Sequence, residues 1–227
     1  IDCHAHLIGE LDEGHGYAGL LSTTTARETL AGSRNARDTV LAGFTTVRDV
    51  GTFRSFTDIA LRDAITAGWV PGPRMVCAGA YITCPGGGGD LTGLSPEDDA
   101  RVPASMRVGV VRNPAEVREA VRRIADAGAD VIKVIATGAV LTTGTLPGEV
   151  ELGPAELEAA VDEAARHGLH VAAHAHGAEG IKIATRAGVR SIEHGSLMDD
   201  EAIALMAEHG TWLVADIYNG DYIKETG

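Results

Sequence analysis

The chain opens on IDCHAHLIGE, with His4 and His6 one residue apart. In an extended strand, residues i and i+2 point to the same side. Two imidazoles so placed can grip one cation, and neutral imidazole is a good ligand for zinc and similar ions. The spacing returns at His174 and His176 in LHVAAHAHG, and His194 closes VRSIEH. Lys133 stands inside the apolar run DVIKVIATG. An ammonium is costly to bury there, and desolvation lowers its pKa. That leaves either a lysine that snorkels to an edge or pairs with a carboxylate, or a neutral amine open to chemistry. Taken singly, each histidine is accounted for by a hydrogen-bonded place in a core. The joint placement of His4, His6, Lys133, His174 and His194 at the ends of four apolar runs is harder to assign to chance. His15, His167, His170 and His209 fall in loops, helix ends or strand starts and receive no role.

The elements that must position these groups alternate along the chain. Strand-like runs are IDCHAH at the start, 44–50, 74–82, 130–136, 169–175, 189–194 and 211–218. Helical patterns run from Thr25 to Ala42, Phe56 to Ala67, Pro114 to Ala127, Pro154 to His167, Glu179 to Ala187 and Asp199 to His209. The junctions AGFTTV, AGADVIKV, HGLHVAAH, AGVRSIEH and HGTWLVAD each end a helix at a glycine before a strand. Repeated helix–Gly–strand units predict parallel α/β architecture, and nearly continuous apolar strands predict a sheet covered on both faces. No GxGxxG follows the first strand, which disfavours a dinucleotide fold. In a barrel, functional residues belong at C-terminal strand ends. Residues 84–109, CPGGGGDLTGLSPEDDARVPASMRVG, lack a helical period and read as a surface loop or as a lid over the barrel mouth.

A 227-residue chain with 44% hydrophobic and 22% charged residues can bury a sizeable core. The net charge of −13 repels phosphate backbones, so nucleic acid is not an expected partner. No apolar run approaches the ~18 residues of a membrane span. Cys3, Cys77 and Cys84 form no CxxC and cannot all pair, which suits a reducing, cytoplasmic setting.

These residues carry a family resemblance. The pattern resembles the amidohydrolase superfamily, metal-dependent hydrolases on a (β/α)8 TIM barrel. IDCHAH is similar to that family's first-strand metal motif. GFTTVRDVG, KVIATG, HAHGAEGI and SIEHGSLMDDEAI are similar to the branch of imidazolonepropionase-like proteins and metal-dependent Xaa-Pro or Xaa-Arg dipeptidases. The resemblance covers essentially the whole chain. It implies two divalent ions, zinc by expectation, and carbon dioxide captured as a carbamate on Lys133. His4, His6 and the carbamate would hold one ion. The carbamate, His174 and His194 would hold the other. Lys133 and His194 thus carry the catalytic assignment, with a hydroxide between the ions attacking an amide carbonyl.

His176, on the same side as His174, is assigned to substrate. Tyr218 is a candidate donor to the carbonyl oxygen, or a packing tyrosine. Arg48 would meet a substrate carboxylate, although Asp49 offers it a local ion pair. The implied substrate is a dipeptide or other small molecule. A cyclic amide is the alternative within enzymes, and a metal-binding barrel without catalysis the alternative outside them. A sugar- or phosphate-handling barrel with incidental histidines is the plainest reading. A homo-oligomer is compatible with all of these.

The family places an aspartate, both ligand and acid/base, at the end of the eighth strand. Neither Asp216 nor Asp221 is expected to serve. Relatives carry a TGGHGD-like loop where this chain has CPGGGGD, so Gly88 stands in place of a histidine. Residues 1–227 are therefore expected to form one partial metal-dependent hydrolase barrel domain. It would hold strands one to seven and lack the eighth strand and the flanking β-sandwich, as a fragment would.

Overall fold

The computed structural model describes residues 1–9 and 16–216. His15, Tyr218 and Asp221 lie outside the described residues. Among the described residues there are eight strands: β1 Asp2–Ala5, β2 Thr46–Asp49, β3 Arg74–Cys77, β4 Tyr81–Ile82, β5 Ile132–Ile135, β6 Val171–Gly177, β7 Ser191–Leu197 and β8 Trp212–Val214. They form two sheets, β1-β2-β3 and β4-β5-β6-β7-β8, with every pairing parallel. Within each sheet, every strand thus neighbours its successor in the chain. Side chains of β1 and β2 meet those of β7 across a shared interior: His4 and Arg48 both reach Glu193.

The helices are α1 Gly16–Ser22, α2 Thr25–Leu41, α3 Thr57–Thr66, α4 Pro96–Asp99, α5 Pro114–Asp126, α6 Pro154–Arg166, α7 Ala178–Ala187 and α8 Asp200–His209. Their starts follow from capping chemistry. The Asn113 side chain accepts from the N–H groups of Ala115 and Glu116, with Pro114 at the first position. Asp199 caps α8 through the Ala202 N–H. Left-handed glycines close α7 and α8, at Gly188 (φ 92°) and Gly210 (φ 67°). On α5 the buried residues are Val117, Ala120, Val121 and Ile124, the i, i+3, i+4, i+7 stripe of a helix laid on a sheet. Burying Val117, Val121 and Ile124 contributes about 1.5–3 kcal/mol each. No helix of the described residues is long and apolar enough to cross a membrane.

Three expectations change. The run 74–82 is not one strand. It bends at Gly79 (φ 76°), whose N–H donates to the buried Asp58 carboxylate, so β3 pairs with β2 while β4 pairs with β5. The segment 84–109 is not a plain loop. It contains α4 and a 3-10 turn at Ala104–Met106, and it buries Leu91 and Met106 against Tyr17 and Leu20 of α1. Arg107 pairs with Asp90 and Asp99 to brace it. The last strand is shorter than the run 211–218 and covers Trp212–Val214.

Candidate metal centre

The chemistry-bearing residues lie at or near the C-terminal ends of their strands. His4 is the third residue of β1, and His6 follows the strand. Lys133 is in β5, His174 and His176 are in β6, and His194 is in β7. Asp216 stands two residues beyond β8. The His4 ring centroid is 5.3 Å from His6 and 4.7 Å from His194. His174 lies 4.7 Å from both His176 and His194. The ligand atoms of His174, His176 and His194 all fall within 4.8 Å of one another, as do those of His4, His194 and Asp216.

Backbone geometry makes this convergence possible at β7. Side chains of consecutive strand residues normally face opposite ways, yet both Glu193 and His194 reach His4. His194 has φ 73°, a left-handed conformation rare outside glycine, and the β6–β7 register shifts between Ala175 and Gly177. Such strain costs about 1–3 kcal/mol and gathers at functional sites.

Each of three rings is oriented through Nδ1. His4 Nδ1 meets Glu193 Oε2 at 2.9 Å, His6 Nδ1 donates to the Gly51 carbonyl at 2.8 Å, and His176 Nδ1 lies 3.0 Å from Ser196 Oγ. Nε2 of each is thereby left for another partner. Burial first, then the neighbouring Lys133, His194 and His176, pushes His174 well below the ordinary histidine range. Burial, with His4, Lys133 and His176 beside it, brings His194 down to about 2. These imidazoles are neutral at physiological pH.

Lys133 is 2% exposed and makes no hydrogen bond or ion pair among the described residues. Burial drives its amine down to about 8, with Glu193 raising it and Arg48 lowering it. Burial works to raise Glu193. The hydrogen bond from His4 and the charges of Lys133 and Arg48 outweigh it and hold the carboxyl at about 2. The donor set is therefore neutral imidazoles, one deprotonatable amine and the Asp216 carboxylate, a set that fits divalent ions of the zinc type.

The amidohydrolase family profile matches residues 1–226. The chain belongs to the amidohydrolase family. Ochratoxinase of Aspergillus niger is 34% identical over 232 residues, covering 94% of this chain and 46% of that protein. A crystal structure of a Xaa-Pro dipeptidase with methionine bound in its active site superposes with a TM-score of 0.87 at 38% identity. It covers 99% of this chain and 54% of that one. The crystal structure of A. niger ochratoxinase gives a TM-score of 0.88 at 32% identity, over 100% and 53% of the two chains. The chain spans about half the length of these relatives.

Within this amidohydrolase chain, the five residues assigned to metal do come together, and His176 joins them. Arg48 is committed to the protein itself. It donates to the Cys3 carbonyl (2.6 Å), Ser191 Oγ (3.0 Å) and Glu193 Oε1 (2.6 Å). Asp49 does not pair with it. On the opposite face of β2, Asp49 accepts the N–H groups of Leu7 and Gly51. Tyr218 lies outside the described residues. Gly88 has no room for the histidine expected there: a Cβ would meet the Ala139 Cβ at 2.9 Å and its N at 3.1 Å.

Sequence reasoning set Asp216 aside and did not single out two other groups at the site, Tyr81 and Glu193. Asp216 sits 3.5 Å from His194 Nδ1. Its signal was its place just beyond the last strand, in WLVAD. Tyr81 donates to the Gly51 carbonyl that orients His6. Glu193 orients His4.

Proposed function

We propose that this amidohydrolase chain forms most of a (β/α)8 barrel that hydrolyses an amide bond in a small substrate, with a dipeptide ending in proline as the leading class. The observation that carries the reading is the meeting of His4, His6, His174, His194 and a buried Lys133 in one place. Similarity to a Xaa-Pro dipeptidase and to ochratoxinase supports it.

His4, His6 and Lys133, carboxylated by carbon dioxide, would hold one ion, and the same lysine with His174 and His194 the other. Bound ions would supply Lewis acidity and water activated near neutral pH. The protein's own part is orientation and dryness. Glu193 and the Gly51 carbonyl fix the His4 and His6 rings. Burial in β5 lowers the Lys133 amine, so a neutral share of it is available to take up carbon dioxide. Asp216, beside His194, is placed to accept or return a proton at its carboxylate. Tyr218 remains a candidate carbonyl donor.

His176 has two readings, because it stands as close to His174 and His194 as a third ligand would. His176→Asn separates them: loss of bound metal marks a ligand, whereas a raised KM with metal retained marks a substrate contact.

The test uses the full-length protein, assayed for metal by elemental analysis and for turnover on Xaa-Pro dipeptides and on cyclic imides. About two ions per chain, with dipeptide hydrolysis abolished by chelation and restored by zinc, is the expected result. Turnover of cyclic imides alone moves the assignment to the cyclic-amide class. Bound metal without turnover leaves a non-catalytic metal-binding barrel.

A further inference from the structure

We infer that Glu193 is the positioning residue for His4, acting from a strand 189 residues further along the chain. The inference rests on the metal reading above and deepens it. Glu193 is fully buried, and each of its oxygens is used. Oε2 meets His4 Nδ1 at 2.9 Å; Oε1 accepts from Arg48 at 2.6 Å and from Ser191 Oγ at 2.6 Å. Arg48 also donates to the carbonyl of Cys3, the residue before His4. One ion pair therefore holds both the ring of His4 and the peptide that leads into it.

A carboxylate can only accept, so His4 must carry its proton on Nδ1 and turn the Nε2 lone pair outward. His6 and His176 rest on neutral partners, the Gly51 carbonyl and the Ser196 hydroxyl. The anionic acceptor makes the His4 imidazole a stronger donor to a cation. Partners of this kind are worth 10–100-fold in metal affinity. A purely structural ion pair between Arg48 and Glu193 would not need the carboxylate aimed at the ring.

The experiment compares full-length wild-type protein with Glu193→Ala and Glu193→Gln. Zinc affinity is measured by competition with a chelator. The His4 tautomer is read by NMR on 15N-histidine-labelled, metal-free protein. Expected are a His4 Nδ1–H tautomer in the wild type, a mixed tautomer in E193A and a 10- to 100-fold loss of zinc affinity there. The amide of E193Q keeps an acceptor without the charge, so its loss is smaller. Unchanged tautomer and zinc affinity within twofold of wild type overturn the proposal. If E193A does not fold, E193Q decides by zinc affinity: a loss greater than twofold upholds the proposal, and affinity within twofold of wild type overturns it. A wild-type protein that binds no zinc overturns the metal reading instead. The His4 tautomer in E193A then decides the positioning role alone: loss of the uniform Nδ1–H signal upholds it, and persistence overturns it.

Discussion

Lys133 concentrates the site's energetics in one side chain. Its amine titrates at about 8 in the folded protein against an ordinary 10.5. Between those values the unfolded chain binds more protons, so the metal-free protein gains stability as pH rises from 8 to 10.5. Below pH 8 the full cost of burying the charge is present, on the order of 3 kcal/mol. Lys133→Met should therefore stabilise the metal-free protein by about that amount at pH 7, with the gap closing above pH 10. Denaturant melts at a series of pH values check this, and a gap that does not vary with pH would contradict it. The same variant removes the amine proposed to carry the carbamate and should lose hydrolysis altogether. Asp216→Asn should lower kcat by about 10²–10⁴-fold, the usual worth of a general acid or base, with much less effect on KM.

At the scale of elements, the long segment 84–109 depends on close backbone approach. A Cβ at Gly109 would lie 1.8 Å from the Tyr81 carbonyl oxygen, where β4 and the segment run side by side and Thr83 donates to the Gly109 carbonyl. Gly109→Ala should cost about 3 kcal/mol or more, since backbone rather than a side chain must yield. A thermal melt within 2 °C of wild type would refute that.

The helix and strand pattern was legible because α2, α3 and α5 to α8 each run into a left-handed glycine, and most strands lie within apolar runs. The HxH pairs were legible because a two-residue period needs no tertiary knowledge. Other features follow from contacts between distant segments. The bend at Gly79 exists because Asp58 of α3 takes its N–H. The role of Glu193 exists because β1 comes to face β7. Arg48 read as exposed to substrate for the same reason: nothing local to GFTTVRDVG reveals Ser191 or Glu193.

On the scale of the molecule, β1 and β8 stand at the outer ends of the two sheets, with no further strand beside them among the described residues. Trp212 and Leu213 of β8 are exposed, and Trp69, Leu30 and Leu41 present further apolar surface. Unpaired edges and apolar patches are templates for association. Residues 1–227 expressed by themselves should self-associate in size-exclusion chromatography and fail to cleave peptides. A monodisperse, active species would refute this.

The most direct measurement is anomalous diffraction from crystals of the full-length protein, recorded on both sides of the zinc edge. The account predicts edge-dependent peaks between the side chains of His4, His6, His174 and His194, with density extending from Lys133 Nζ toward them. A map with no such peak, in which these rings bond only to protein and water, would contradict it.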